Sequence, residues 1–575
     1  MKFVKSPLLA HALSPWRARL VILLLLGGFV VLAGRSFYLQ AVRNDFLQQK
    51  GESRYSRVIE ISATRGRILD RHGDVLAVST PVKSIWAIPE DARFSPAQAR
   101  QLAQLLDLDV REINRKLASE KDFVFLKRQI APDVAERVLS LGLPGIHEQR
   151  EYRRYYPAGD VAAHVLGFTG AEDAGQEGVE LAFDATLAGR PGSRRVIKDR
   201  RGQIVEDVAS IRAPQDGKDV VLALDNKIQY LAYASLRQAV IEHKAKAGGI
   251  VVLDVKSGEV LALANLPAYN PNNRVGLVGA QLRNRALTDT FEPGSTMKPF
   301  TAALALEKGM VRVDTPIQTA PGRLTIGRAT IHDAHPHGIL TVAQVIQKSS
   351  NVGAAKMALS LPAEEMWQMF DSLGFGNPLR VGFPGEVGGH LRPAGRWKPI
   401  EQATMAYGHG LSVTLMQLAH AYTAFARDGD MLPPVLTRVE APPLAGKAVF
   451  SAQTAREVRA MLELVVLPGG TAPKAQVPGY RVAGKTGTAH KIESGAYANR
   501  YVASFVGLAP ASDPRLVIAV MIDEPSGAEY YGGDVAAPVF AQVMAGSLRA
   551  LGVAPDAALK PVLVAKGLPV AKEEM

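Results

Sequence analysis

From Leu20 to Ala33 the chain reads LVILLLLGGFVVLA, without one polar side chain. Gly34 and Arg35 follow, then Phe37-Tyr38-Leu39, so the stretch from Leu20 to Leu39 has about the 20 residues a helix needs to cross a bilayer. This stretch fixes its own conformation and leaves the rest of the chain to fold beside it. Arg35 can snorkel toward headgroups, and Tyr38 suits the interface. The rival reading is a cleaved signal peptide, with Lys2, Lys5, Arg17 and Arg19 as a basic leader and Val31-Leu32-Ala33 as a cleavage site. The apolar character continues past Ala33, which favours an uncleaved anchor. Lipoprotein processing needs a cysteine, and the chain has none. Arg43, Lys50, Arg54 and Arg57 lie just beyond the span, so charge alone leaves the topology open.

A chain of 575 residues exceeds one ordinary domain. With 47% hydrophobic and 21% charged residues it has the composition of a folded protein. The absence of cysteine excludes disulfides, thiol catalysis and cysteine-based metal sites. A net charge of +12 fits nucleic acid, an anionic membrane surface or an anionic polymer. No zinc-finger spacing, basic block or RNA-binding signature is present, so nucleic acid is not expected as a partner.

Residues 40 to 57 read as a helical connector. RGRILDRHGDVLAVS (65 to 79) predicts strand, turn at His72-Gly73, strand. Ser95-Pro96-Ala97-Gln98 opens a helix with a capping box. RRYYPAGDVAAHVLGF (153 to 168) and GQEGVELAFD (175 to 184) mix turn residues with apolar stretches. Residues 58 to about 220 thus form a mixed, extended module without a catalytic cluster. The texture changes near Asp216-Gly217. A strand at 220 to 225 precedes a helix at 228 to 240, then GGIVVLDV and EVLALAN flank a hairpin turn at Lys256-Ser257-Gly258. Helical segments follow, one of them at 452 to 466 capped by Ser451. Three late strands (RVAGKTGTAHKI, YVASFVGLA, LVIAVMID) and a helix at Ala536 to Leu551 complete the pattern. The expectation is a chain of α+β or α/β class, whose second module is an antiparallel sheet of about five strands flanked by helices.

The chemistry centres on FEPGSTMKPF (291 to 300). Positions i and i+3 of a helical turn share a face, so Ser295 and Lys298 can meet. A serine hydroxyl needs a base, and lysine serves if burial and a second cation keep its amine neutral. Pro299 sits uncomfortably, because proline disfavours helical geometry in the residue before it. Alone, Ser-x-x-Lys also fits a capping serine beside a surface lysine. Two more elements follow in order: Ser349-Ser350-Asn351 within the helical pattern QVIQKSSNVGAAKMAL, and Lys485-Thr486-Gly487-Thr488 on a strand. Lys256-Ser257-Gly258 also fits the third element, but precedes the nucleophile and reads as turn chemistry. The order resembles the S-x-x-K, S-D-N, K-T-G set of penicillin-binding proteins and class A β-lactamases, with Ser350 in place of aspartate.

In that scheme Ser295 attacks a carbonyl and Lys298 takes its proton. Ser349 relays a proton to the leaving amine, and Asn351 orients Lys298 and the substrate amide. Lys485 is the second cation. Thr486 and Thr488 offer hydroxyls to a substrate carboxylate, Gly487 lets the strand approach the substrate, and the N–H groups of Ser295 and Thr488 form an oxyanion hole. No metal or cofactor is expected. His332, His335 and His337 suit a polar loop, Gly408-His409-Gly410 a turn, and Asp70 and Arg71 a solvated turn or an interdomain ion pair.

Nearly the whole chain resembles the class B penicillin-binding proteins, in particular the division-specific branch. FEPGSTMKPF, QKSSNVG and GKTGTA are similar to the family's active-site motifs, and RGRILDRHGDVLAVSTPV, RRYYPAGDVAAHVLGF and GQEGVELAFD to its pedestal motifs. NPNNR, RNRALTD and YYGGDVAAPVF are also similar to division-type members. The resemblance implies a cytoplasmic tail at 1–19, a transmembrane anchor at 20–39, a periplasmic pedestal at 40–219, a transpeptidase domain at 220–551 and a loose tail at 552–575. It implies D,D-transpeptidation of peptidoglycan stem peptides with loss of terminal D-alanine, and covalent inhibition by β-lactams. It also implies residence in the inner membrane with a membrane glycosyltransferase and other division proteins as partners. A β-lactamase or D,D-carboxypeptidase would share the same triad, and a non-catalytic division scaffold is the third alternative.

Overall fold

The computed structural model describes residues 15–42, 56–198, 204–441, 443–493 and 496–558. The connector at 40 to 57 lies largely outside them. At the N-terminus a helix spans Pro15–Phe37 and passes into a π-turn at Tyr38–Val42. The apolar segment Pro15–Gln40 has a mean hydropathy of 2.3, and none of it is buried against the rest of the chain. Trp16 and Tyr38 mark its ends, roughly 33 Å apart at the α-helical rise, close to the ~30 Å of bilayer hydrocarbon. Arg35 lies 5.6 Å over the Tyr38 ring. The helix is therefore compatible with a single-pass membrane anchor.

The first module is built on a long strand, Val75–Ala87, paired antiparallel with Ile146–Tyr155 on one side and Val124–Ile130 on the other. The expected strand–turn–strand is present, but its first strand is only Ile68–Leu69. The reason lies in Asp70, which is buried and not in a solvated turn. Its carboxylate accepts from the N–H groups of His72 and Asp74, and from Asn226 across the module boundary. Arg71 makes the interdomain ion pair, at 3.3 Å from Glu259. The helix Pro96–Leu106 opens on the expected Ser95–Gln98 capping box. Together with neighbouring helices it covers a separate small core around Leu102, Leu126 and Val138.

The three turn-rich motifs of this module converge on one buried carboxylate. Glu180 takes Arg65 on one oxygen and Arg154 on the other, each at 2.7 Å, and Arg65 also reaches Asp184 at 2.7 Å. Asp173, nearby, has its carboxyl pushed up to about 6 by burial.

In the second module, helix α1 (Asn226–Glu242) is capped by Asp225, whose side chain accepts from the N–H groups of Lys227 and Ile228. The sheet is formed by β1 (Ala247–Asp254), β2 (Val260–Leu266), β3 (Ala483–Glu493), β4 (Ala496–Ala509) and β5 (Leu516–Asp523). It is antiparallel, in the order β2-β1-β5-β4-β3. Strands β1 and β2 are buried along their whole length, so they read as near-continuous apolar runs. Each fully buried aliphatic side chain there contributes about 1.5–3 kcal/mol.

Two adjacent glycines show why the sheet is covered on both faces. A Cβ on Gly248 would meet Leu236 and Val240 of α1, whereas one on Gly249 would meet Leu415. Successive residues of a strand point to opposite faces. Helix α1 and the helix Ala537–Ala550 thus pack on one face, and Leu415–Ala426 packs on the other. The expected C-terminal helix is present as Ala537–Ala550, with Ala536 at its N-cap and a short helical turn at Gly532–Val535 before it.

Candidate active site

Gly294–Met297 forms a 3-10 turn that leads into the helix Lys298–Glu307. In a 3-10 turn the side chains at i and i+3 eclipse, which stacks Lys298 directly against Ser295 more closely than an α-helix would. Lys298 keeps helical angles, φ −55° and ψ −39°, even though Pro299 follows. The turn is held from behind: the Tyr422 hydroxyl donates to the Thr296 carbonyl at 2.8 Å, and Phe300 packs against Phe375, Tyr422 and Phe425. Gly294 has φ +58° and Gly408 φ +84°, and a Cβ on Gly408 would overlap the Gly294 carbonyl. The Gly408–Gly410 segment is a turn, as expected, and it braces the nucleophile.

QVIQKSSNVGAAKMAL is not one helix. The helix Val342–Lys348 stops at Ser349, which takes left-handed angles (φ 60°, ψ 39°), and a second helix runs Asn351–Leu359. Ser350 caps the second helix by accepting from Gly353 N–H at 3.0 Å. This break turns Ser349 toward the lysines. A serine in left-handed geometry is strained, and such strain concentrates at functional sites.

The three elements meet. Lys298 Nζ lies 2.8 Å from Ser295 Oγ, 2.6 Å from the Ser349 carbonyl and 3.0 Å from Ser349 Oγ. Lys485 Nζ lies 3.0 Å from the same Ser349 Oγ. Both lysines are fully buried. Burial first, and the Lys485 cation second, hold the Lys298 amine well below the usual lysine range, with Asp333 opposing. Burial brings Lys485 down to about 7. A neutral amine has two N–H donors and one lone pair. With the amine neutral, its two N–H groups can serve the Ser349 oxygens and its lone pair the Ser295 hydroxyl.

Other residues depart from expectation. Asn351 does not bond Lys298; its Nδ2 donates to the His332 carbonyl at 2.8 Å. The His332–His337 loop instead contributes Asp333, whose carboxylate accepts from Ser350 Oγ at 2.8 Å and from Val352 N–H at 2.9 Å. An aspartate thus reaches in space the place where the S-D-N pattern has one in sequence. Among the described residues no histidine/carboxylate cluster has metal-site geometry.

Gly487 has a further physical reason. A Cβ there would lie 2.4 Å from Ser504 Oγ and 2.8 Å from the Pro293 carbonyl, so the glycine lets β3 close on the nucleophile turn. Thr486 and Thr488 share the other face of the strand. Thr486 Oγ1 sits 3.0 Å from Thr471 Oγ1, and Thr488 Oγ1 accepts from Gly532 N–H at 3.0 Å, which leaves the Thr488 proton free to donate. Strand β3 is the edge of the sheet, so one row of its backbone groups faces the cleft.

Asp333, Thr471 and Gly532 carry no signal in sequence, because their partners lie 15 or more positions away. Only the helix-breaking pair Ser349-Ser350 hints at the turn between the two helices.

Residues 248–545 match the family described as penicillin binding protein transpeptidase domain, and residues 60–222 the penicillin-binding protein dimerisation domain. The probable peptidoglycan D,D-transpeptidase PenA of Neisseria gonorrhoeae is 45% identical over 98% of this chain and 96% of its own length. Peptidoglycan D,D-transpeptidase FtsI of Escherichia coli (strain K12) is 42% identical over 94% and 93%. Among solved structures, the transpeptidase domain of Burkholderia pseudomallei penicillin-binding protein 3 aligns with 50% identity and a TM-score of 0.55, covering 59% of this chain and 98% of that one. A peptidoglycan synthetase from Bifidobacterium adolescentis aligns with 25% identity and a TM-score of 0.69, covering 88% and 98%.

Proposed function

The chain belongs to the penicillin-binding protein family, with a dimerisation module followed by a transpeptidase module, and from that premise we propose a residue-level mechanism for its reaction. It is a serine-type peptidoglycan D,D-transpeptidase, and its likeness to FtsI and PenA fits the division branch. The observation that carries the mechanism is Lys298 Nζ at 2.8 Å from Ser295 Oγ, buried and without a carboxylate partner among the described residues.

A stem peptide ending in two D-alanines lies along the edge of β3, where backbone groups can pair with it. Its terminal carboxylate takes hydrogen bonds from Thr486 and Thr488 and the charge of Lys485. Ser295 Oγ attacks the penultimate carbonyl carbon while its proton passes to the neutral Lys298. The N–H groups of Ser295 and Thr488 hold the oxyanion; a Cβ on Gly294 would lie 3.4 Å from the Thr488 carbonyl, so the two backbones are neighbours. Ser349 Oγ can accept from both lysines, which leaves its own proton for the departing amide nitrogen. The C–N bond breaks, D-alanine leaves with that proton, and Lys298 resupplies Ser349. An amine of a second stem then attacks the ester, gives up its proton to Lys298 through the same route, and frees Ser295. A β-lactam opens on Ser295 in the same way, but its leaving nitrogen stays tethered. Asn351 orients the substrate amide rather than Lys298.

In this reading residues 1–19 are cytoplasmic, 20–39 cross the inner membrane, 40–219 form the pedestal and 220–551 the catalytic domain in the periplasm, with 552–575 as a tail. A membrane glycosyltransferase that supplies glycan strands, and other division proteins, act beside it. Labelling with a fluorescent penicillin tests the nucleophile: stable label on the wild type and none on Ser295→Ala is expected, and equal labelling of both removes Ser295. A stem-peptide thioester with and without an added amine separates transfer from hydrolysis; acyl transfer to the amine is expected, and release of the free acid alone makes the protein a carboxypeptidase.

A further inference from the structure

Glu292 immediately precedes Pro293-Gly294-Ser295, and its side chain is buried, with 7% exposure. A buried carboxylate is costly unless its oxygens are satisfied. Among the described residues no lysine or arginine pairs with it. One oxygen takes Gly410 N–H at 2.8 Å, and the other lies 2.9 Å from His409 Nδ1 and 3.1 Å from the Tyr497 hydroxyl. These bonds outweigh burial, which acts in the opposite direction, and hold the carboxyl below its ordinary range.

The two inner segments do not need this carboxylate to stay together. Phe291 and Val413 already exchange backbone hydrogen bonds at 3.0 Å, and Gly294 N–H donates to the Gly408 carbonyl at 3.2 Å. What Glu292 adds is Tyr497. That residue stands on β4, at the far end of the β3–β4 hairpin from Lys485, and is 57% exposed. Its ring meets His409 edge-on at 5.9 Å. At the inner end, Gly487 lets β3 close on the nucleophile turn, and Lys485 ties the strand to Ser349. At the outer end Glu292 and Tyr497 form a hydrogen-bonded link between the hairpin and the segment that carries Ser295.

We propose that Glu292 is a positioning residue for acyl transfer: its carboxylate ties Tyr497 and the 408–410 turn to the turn bearing Ser295, so that nucleophile and β3 keep one spacing along the cleft. The inference rests on Ser295 being the nucleophile. Tyr497 is the second member of the device, its hydroxyl bonded to the Glu292 carboxylate.

The test uses the full-length protein and a fluorescent penicillin in stopped flow, separating the affinity of the first complex from the acylation rate constant. Because small misplacements of reacting groups are costly, Glu292→Gln is expected to lower the rate constant by about 10- to 100-fold and Tyr497→Phe by about 3- to 10-fold, with the first affinity unchanged. The double variant is expected to be no slower than Glu292→Gln alone, because residues of one network do not add. A wild-type rate constant in Tyr497→Phe, additive losses in the double variant, or losses confined to affinity overturn the proposal. If Glu292→Gln fails to fold, Tyr497→Phe decides, since its exposed ring carries little of the core. Ser295→Ala run in parallel keeps the two readings apart. Label retained on that variant overturns the nucleophile itself, whereas label lost there with a wild-type rate in Tyr497→Phe overturns only the role of Glu292.

Discussion

Both halves of the molecule bury cations, and they treat them in opposite ways. In the pedestal, Arg65 and Arg154 share Glu180, and Arg65 also takes Asp184, so each buried charge has a partner at 2.7 Å. In the transpeptidase module, Lys298 and Lys485 are equally buried, yet their neighbours are serine and threonine oxygens and each other. Guanidinium groups stay charged, so the pedestal must neutralise them with carboxylates, and the result is rigidity. An amine without a carboxylate can shed its proton instead, and the result is a base. The same operation, moving a cation out of water, makes a joint in one place and a catalyst in the other.

The largest effect that bears on this contrast is the loss of the base. Lys298→Met should lower the rate of penicillin acylation by about 10³-fold while the protein stays folded, as general-base removal does. A loss of only a few-fold, measured in stopped flow, would mean that the buried amine is not the base. Glu180→Gln should do the reverse. Leaving two buried arginines without their shared anion is expected to destabilise the protein by about 3–5 kcal/mol, read from the denaturant midpoint, with the acylation rate of the folded fraction little changed. A slow but fully stable variant would contradict the division of labour.

The third effect is smaller and depends on pH. Lys485 titrates at about 7 when folded, and at the ordinary lysine value of 10.5 when unfolded. Between these values the unfolded Lys485 binds more protons, so its contribution to stability rises with pH from about 7 toward 10.5, by up to about 1.4 kcal/mol per pH unit, and is flat below 7. Lys485→Met should remove that rise; unfolding titrations of the two proteins with identical pH dependence would show that Lys485 is not depressed. The smallest effect concerns Asp333, which opposes the depression of Lys298. Asp333→Asn should move the acid limb of the acylation profile down by less than about one pH unit. An upward shift would reverse the sign assigned to that carboxylate.

Much of this was legible from local pattern. The Ser95 capping box, the hairpin at Lys256-Ser257-Gly258 and the three late strands follow from residue type at short range, and the structure has them. Order along the chain was enough to bring Ser295, Lys298, Ser349 and Lys485 to one site as candidates. What stayed hidden depends on contacts distant in sequence. The helical periodicity of QVIQKSSNVG runs straight through Ser349; the Ser349-Ser350 pair hints at a turn, but its left-handed geometry shows only in the structure. Asp333 sits in a loop where three histidines draw attention, and its partner Ser350 lies 17 positions on. Arg65, Arg154 and Glu180 read as separate turn-rich motifs, and nothing local joins them. Asp70 looks like a surface turn until helix α1 is placed against it.

The protonation state of Lys298 tests the central claim most directly. In protein labelled with ¹³C and ¹⁵N at lysine, the Cε and Nζ resonances of Lys298, assigned by comparison with Lys298→Met, report whether the amine is neutral. At neutral pH the resonances of a neutral amine are expected, shifting toward the ammonium when Lys485→Met removes the neighbouring cation. Ammonium resonances at neutral pH that titrate at the ordinary lysine value, indifferent to Lys485, would contradict it.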